Sequence, residues 1–335
     1  MSFKDIIGQQ EAKEVLLRSI KENRVFSSYI FWGKEGIGKK FTALEFAKTI
    51  NCLNCSDDLE ACESCPSCLK INKLCSPDLS IIEPVKDTIS INQIRELQCQ
   101  VNLKPLESRK KFYIIDQADK MTREAENCLL KTIEEPPGEV IIILICPHPD
   151  YLLPTTVSRC QLLNFSALNL SNLKMAIFSK IQKKLDENRI ELIGRLAEGS
   201  ISKALKLIFQ DEYLEKRDEI ITLLSYIAPR KYDLQAFNQI KELLIGNTYQ
   251  LEEVLEVMLF WYHDILLARD FSMHKYIFNI DKLSTIMEKT ELYSIPLLRN
   301  IIEYLGQMRE YVERNVNRQI LADRLFLKLV GEDFE

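Results

Sequence analysis

The run Tyr29-Ile-Phe-Trp32 passes directly into Gly33-Lys34-Glu35-Gly36-Ile37-Gly38-Lys39, and a helical pattern follows from Phe41 to Ile50. Strand, glycine loop and helix in that order make a phosphate-binding loop. The glycines let backbone N–H groups close around an anion, the helix N-terminus favours negative charge, and the last lysine reaches the terminal phosphates. A loop of this kind sits on a parallel sheet with helices on both faces. The surrounding sequence supplies such a sheet. Leu79 to Ile82, Phe112 to Ile115 and Val140 to Ile145 are short, continuous apolar runs, read as buried strands. Helical patterns at Glu11 to Ile20, Ser90 to Gln100 and Arg123 to Ile133 separate them.

After Phe165 the strand signals stop. Leu168 to Phe209 reads as several short helices punctuated by Gly194 and Gly199, and Glu212 onward is helical with breaks at Pro229, Gly246 and Pro296. The expected fold class is an N-terminal α/β phosphate-loop domain over residues 1–165, a small helical domain over 166–210 and an all-α domain over 211–335. Ten glycines and 11 prolines are too few for a loop-rich all-β protein of 335 residues.

The phosphate loop lacks a part. The complete motif ends in Ser or Thr, whose hydroxyl holds Mg²⁺, and here that position is Lys40. A cation cannot ligate a cation, so Mg²⁺ is not expected. The next hydroxyl, Thr42, is two residues on and should face elsewhere. Phe112 to Ile115 ends at Asp116-Gln117, and an acid there is the Mg²⁺-side carboxylate of this fold. The following position usually carries a Glu that polarises the attacking water, and Gln117 cannot take a proton as that Glu would. Weak or absent hydrolysis follows. Whether Gly33, Gly36, Gly38 and Lys39 still hold ATP or ADP stays open at this point.

Cys62-x-x-Cys65-x-x-Cys68 is a tight triad, with Cys52 and Cys55 just upstream. Four thiolates at such spacing suit a closed tetrahedral Zn²⁺ site that stabilises structure without catalysing. The spacing leaves the fourth ligand as either Cys52 or Cys55. The remaining cysteines, Cys75, Cys99, Cys128, Cys146 and Cys160, read as small buried hydrophobes.

With 44 Lys and Arg against 49 Asp and Glu, the net charge of −5 argues against a chain that coats nucleic acid on its own. The segment MSFKDIIGQQEAKE has no apolar signal core, and the longest apolar run, Val140 to Cys146, is too short to span a bilayer. A cytoplasmic protein with no membrane partner is expected.

Taken together, Ile7-Gly8-Gln9-Gln10, the phosphate loop, the cysteine cluster, Pro77-Asp78, Ile114 to Asp119, Leu129 to Pro137 and Ser158-Arg159-Cys160 resemble the AAA+ subunits of the bacterial DNA polymerase III clamp loader. The resemblance runs from about residue 3 to the end, where Asn315 to Ala322 and Leu325 to Leu329 look like the last collar helix. It implies that residues 166–210 are a lid and 211–335 a collar for oligomerisation. The family contains an ATPase motor, gamma/tau, and a related stator. Lys40, Gln117, Cys146-Pro147 at a sensor position that is usually Thr, and Ser202 in place of the lid's phosphate-sensing Arg all depart from the motor. Arg159 does not depart. In this family it acts in trans, as a finger on a neighbour's ATP, the plain alternative being a surface ion pair. The resemblance thus implies a stator with a degenerate site of its own. Its expected partners are gamma/tau and delta, the sliding clamp reached through the complex, and primer–template DNA. Arg95 matches a position that resembles a DNA-backbone contact, and a solvated helix-face Arg is its plain reading. Lys104, Arg109, Lys110 and Lys111 read as a solvated basic loop. The alternative function is a catalytically active gamma/tau-type ATPase.

Overall fold

The computed structural model describes residues 3–136, 138–180, 186–229, 234–245, 251–313 and 317–330. The expected break at Gly246, and Pro137, Asn315 and Val316 of the motifs above, lie outside the described residues. Five parallel strands form one sheet: β1 (Ser28–Trp32), β2 (Leu79–Ile82), β3 (Lys111–Ile115), β4 (Val140–Cys146) and β5 (Gln161–Asn164), in the order β2-β3-β4-β1-β5. The strand period of two sends alternate residues to opposite faces. Tyr29, Phe31, Ile141, Ile143 and Ile145 join one core, and Ile30, Ile142, Leu144 and Cys146 join the other.

Helices α1 (Gln10–Lys21) and α2 (Lys39–Asn51) cover the first face through Leu16, Ala43, Phe46 and Ala47. A short helix α3 (Pro66–Asn72) carries part of the cysteine cluster. The second face is covered by α4 (Ile91–Val101) and α5 (Arg123–Glu134), through Ile94, Leu97, Ala125 and Leu129. The one-turn helix α6 (Pro154–Val157) leads into β5. This is the parallel, helix-covered sheet expected from the sequence.

One strand escaped the sequence reading, and Cys75 and Cys99, read as buried, are exposed. β5 carried no strand signal, because only Leu163 of its four residues is buried on the sheet edge. Lys111 is not part of a solvated loop. It opens β3, is buried, and donates from Nζ to the Gln100 carbonyl at 3.0 Å.

Beyond the sheet the described chain is helical: α7 (Leu170–Lys180), α8 (Glu187–Leu196), α9 (Ile201–Phe209), α10 (Asp211–Ser225), α11 (Leu234–Ile245), α12 (Leu251–Leu267), α13 (Leu283–Lys289), α14 (Ile295–Glu313) and α15 (Arg318–Val330). Gly194 lies buried inside α8 and does not break it, since the period of Ile190, Ile193 and Leu196 outweighs the roughly 1 kcal/mol a helical glycine costs. Pro296 falls at the first turn of α14, where a missing N–H is tolerated. By packing, residues 1–182 with 198–203 make one compact unit, and 183–197 with 204–335 make another.

Candidate phosphate-loop and cysteine sites

The loop leaves β1 at Gly33 and enters α2 at Lys39. Gly36 and Gly38 take positive φ (74° and 103°), a conformation that the other residue types enter only with strain. A Cβ on Gly36 would lie 2.2 Å from Ser200 Oγ and 2.8 Å from Ser202 Cβ, so the segment 199–202 packs directly on the loop. Ile201 and Ser202 both donate backbone N–H groups to the Gly36 carbonyl, at 2.9 and 3.2 Å. Gln9 is buried against the same loop. Its amide nitrogen donates to the carbonyls of Ile37 (3.2 Å) and Ser166 (2.7 Å), and its amide oxygen accepts from Ser166 N at 3.0 Å. The Gly8-Gln9 pair thus clamps the loop to the exit of β5.

Lys39 is buried, and its ammonium donates to the carbonyls of Gly33 and Lys34. Burial lowers its pKa. Lys40 points to the other side of the loop mouth, where its ammonium bonds to Glu83 and lies 3.1 Å from Asp116 Oδ2. Burial works against that charge, but the bonds to Glu83 and Asp116 outweigh it and raise the pKa. Thr42 is fully buried and donates its hydroxyl to the Gly38 carbonyl at 3.0 Å, away from Asp116. Gln117, at φ 54°, donates its N–H to Asp116 Oδ1 at 3.1 Å. Cys146 is buried at the end of β4, and burial pushes its thiol up to about 12.

The cysteine cluster is built by the end of α2 and the start of α3. The sulfurs of Cys52, Cys62, Cys65 and Cys68 all lie within 4.8 Å of one another. A tetrahedral thiolate site with Zn–S bonds of about 2.3 Å needs sulfurs about 3.8 Å apart, so this set can hold a metal ion with little movement. N–H groups point at the sulfurs: Cys62 N to Cys52 Sγ (3.3 Å), Cys65 N to Cys62 Sγ (3.3 Å) and Cys68 N to Cys65 Sγ (3.5 Å). Donation from the backbone of Ser64 and Cys65 brings the Cys62 thiol down to about 6. Of the two candidates for the fourth position, the structure brings Cys52 to the cluster. Cys55 turns instead to its own loop and donates to the Glu60 carbonyl at 3.5 Å.

An alignment with DNA polymerase III subunit delta' of Bacillus subtilis (strain 168) spans 96% of this chain and 96% of that protein at 32% identity. The chain belongs to that family. A family profile described as DNA polymerase III, delta subunit, matches residues 8–169. DNA polymerase III subunit tau of the same Bacillus is 28% identical over 80% of this chain and 50% of its own length. A gamma subunit-related protein of Thermotoga maritima is similar over 95% of this chain and 98% of its own, at 18% identity and a TM-score of 0.46. By its likeness to the Bacillus delta' protein the chain is a DNA polymerase III clamp-loader subunit of the delta'/gamma/tau family.

In this delta'-family chain Arg159 lies far from the phosphate loop. It precedes β5, whose first residue, Gln161, is level with Tyr29 near the start of β1, whereas the loop leaves the end of β1. At about 3.3 Å per residue, roughly 13 Å of strand separates the level of Gln161 from Gly33. The Arg159 side chain is exposed. Nε pairs with Glu134 Oε1 at 2.8 Å, and Nη1 donates to Thr155 O (2.9 Å) and Ser158 Oγ (3.3 Å). Nη2 has no hydrogen bond among the described residues. Arg95 is exposed on α4. Sequence reasoning missed Glu83 and Glu134, the carboxylates that hold Lys40 and Arg159. Each lies more than 20 residues from its partner, so no local spacing marks it. No helix among the described residues is long and apolar enough to cross a membrane.

Proposed function

We propose that this chain is the stator of its clamp loader, lending Arg159 to a neighbouring gamma/tau ATPase site while its own site does not turn nucleotide over. One pairing of observations carries the reading. The metal position of its own phosphate loop is taken by Lys40, and Arg159 stands at the opposite end of the sheet, out of reach of that loop. An arginine so placed cannot serve its own loop; beyond its ion pair with Glu134 it is free to serve a neighbour, where such a finger contributes on the order of 10³–10⁵ in rate. Gln117, Cys146 and Ser202 remove the remaining catalytic parts.

In this reading residues 1–165 are the AAA+ domain with its cysteine module, 166–210 the lid and 211–335 the collar that binds gamma/tau and delta. The cluster of Cys52, Cys62, Cys65 and Cys68 holds a structural Zn²⁺, which stiffens the end of α2 and, being closed, does no chemistry. The complex works in the cytoplasm, loading the sliding clamp on primer–template DNA. Exposed Arg95 contributes a phosphate contact, because a loader that acts at any primed site reads backbone rather than bases.

The test is ATPase turnover of the reconstituted complex with gamma/tau, delta, clamp and primed DNA, beside the chain alone. The chain alone should be silent. Arg159→Ala should leave the complex assembled and slow the one site it serves by about 10³–10⁵, seen as a partial loss of total turnover. Turnover by the chain alone that Lys39→Ala abolishes would instead establish a gamma/tau-type motor.

A further inference from the structure

The fold family implies a Mg²⁺ ion at the phosphate loop, held through the hydroxyl after the loop lysine and the acid at the end of β3. The residues here do not fit one. Mg²⁺ needs near-octahedral oxygen ligands. The carboxylates that face Lys40 are already committed, whereas Asp119 Oδ1, buried near Lys39, has no hydrogen bond among the described residues: Asp116 Oδ2 faces the Lys40 ammonium at 3.1 Å, Asp116 Oδ1 accepts from Gln117 N, and Glu83 accepts from Lys40. The nearby hydroxyl of Thr42 bonds back to the Gly38 carbonyl. A dication could enter only by displacing the ammonium and leaving it unpaired next to a charge of +2.

We infer that Lys40 is the resident cation of this site: its ammonium neutralises Asp116 and Glu83 in the place of Mg²⁺ and keeps the divalent ion out. The two pairings tie α2 to the ends of β2 and β3, as a bound metal would tie them, but through a covalently attached charge that does not dissociate. The loop itself keeps its shape. Gly38 faces open space, and the N–H groups of residues 34–38 donate to no backbone carbonyl among the described residues. The ligand class this arrangement leaves room for is a polyphosphate without metal. This deepens the reading of a loop that no longer turns nucleotide over, and rests on it.

The experiment compares the full chain with Lys40→Thr and Lys40→Arg. Thermal unfolding and ATP binding are measured in Mg²⁺-free buffer without chelator, which leaves the cysteine-bound zinc in place, and in excess Mg²⁺ at matched ionic strength. The unaltered chain and Lys40→Arg, which keeps the cation, should unfold at the same temperature in both conditions and bind ATP no more tightly in Mg²⁺, which draws free ATP into its metal complex. Lys40→Thr restores the hydroxyl and frees both carboxylates, so Mg²⁺ should raise its unfolding midpoint and tighten ATP binding by about tenfold. Stabilisation or tighter ATP binding by Mg²⁺ in the unaltered chain or in Lys40→Arg overturns the inference, and so does a folded Lys40→Thr that stays indifferent. If Lys40→Thr does not fold, the unaltered chain and Lys40→Arg decide. A Mg²⁺ response without turnover sinks this inference and leaves the stator reading standing, whereas ATP hydrolysis by the chain alone sinks both.

Discussion

Asp78 stands just before β2, and its buried carboxylate accepts three backbone N–H groups, from Leu106, Glu107 and Ser108, each at 2.8 Å. Those bonds pin the loop that leads into β3. Burial by itself raises the carboxyl's pKa, but the amides of Glu107, Leu106 and Ser108 outweigh it and hold it below the ordinary value. A depressed carboxyl stabilises the fold above its unfolded pKa of about 3.9, and that contribution disappears as pH falls through the lower folded value. Asp78→Asn should therefore cost about 1–3 kcal/mol at pH 7, the usual loss for a buried, charge-assisted acceptor. The gap between the two chains should narrow in acid. Urea unfolding at several pH values checks both statements, and a gap that is constant with pH contradicts the linkage. The sequence marks Asp78 only through the resemblance of Pro77-Asp78. Its donors lie about 30 residues on, and only the folded loop brings them to it.

At the scale of elements, the cysteine module is fixed to the sheet domain by a second cluster that carries no sulfur. Lys48 of α2 is buried and pairs with Glu45 (2.9 Å) and Glu63 (2.6 Å), and donates to Asn72 Oδ1 at 3.0 Å. Glu63 lies inside the cysteine triad and Asn72 ends α3, so one ammonium grips both sides of the module. The CxxCxxC spacing was legible because Cys65 caps α3 and the helix turns Cys68 back toward it. The choice of Cys52 over Cys55 was not, since it depends on where the chain leaves α2. The two cysteines predict opposite outcomes. Cys68→Ser should weaken zinc binding by more than about a hundredfold, beyond what loss of an outer-shell partner costs, whereas Cys55→Ser should keep the metal. Metal content after purification, with limited proteolysis of the 52–75 segment, reads the difference. Equal loss in both variants would contradict the assigned ligand set.

On the scale of the molecule, the helical unit is organised about α12, which is buried around most of its circumference by Trp261, Tyr262 and Ile265 among others. Its Asp264 has no solvent exposure and accepts from Phe278 N (2.8 Å), Asn279 N (2.8 Å) and Asn279 Nδ2 (2.6 Å). Asn279 Oδ1 in turn accepts from buried Arg217 of α10, which also pairs with Asp281 at 2.6 Å. The chain Asp264–Asn279–Arg217–Asp281 thus joins α12, α10 and the segment before α13. Removing one partner of a buried ion pair leaves the other uncompensated. Because Asp281 is itself a third exposed, Arg217→Ala should lower the stability of the helical unit by about 1–3 kcal/mol, the usual loss for hydrogen bonds to a charged group, and Arg217→Met, which keeps the stem, by less. Denaturant unfolding followed by circular dichroism measures it, and a loss below about 1 kcal/mol would mean the network is idle.

The sequence by itself determined the α/β-then-helical order, four of the five strands, the phosphate loop with its missing hydroxyl, and the family. Each of these is written in near neighbours: a period of two or 3.6, a run of glycines, cysteines three apart. The fifth strand escaped because an edge strand with one buried residue leaves almost no hydrophobic trace. Tertiary structure alone decided the partners of the charged groups and the fourth cysteine. Glu83 meets Lys40 across 43 residues, Glu134 meets Arg159 across 25, and Arg217 meets Asp281 across 64. A charge attracts whatever the packing of the backbone brings within a few ångströms, and that packing is set by apolar burial far from the charge itself.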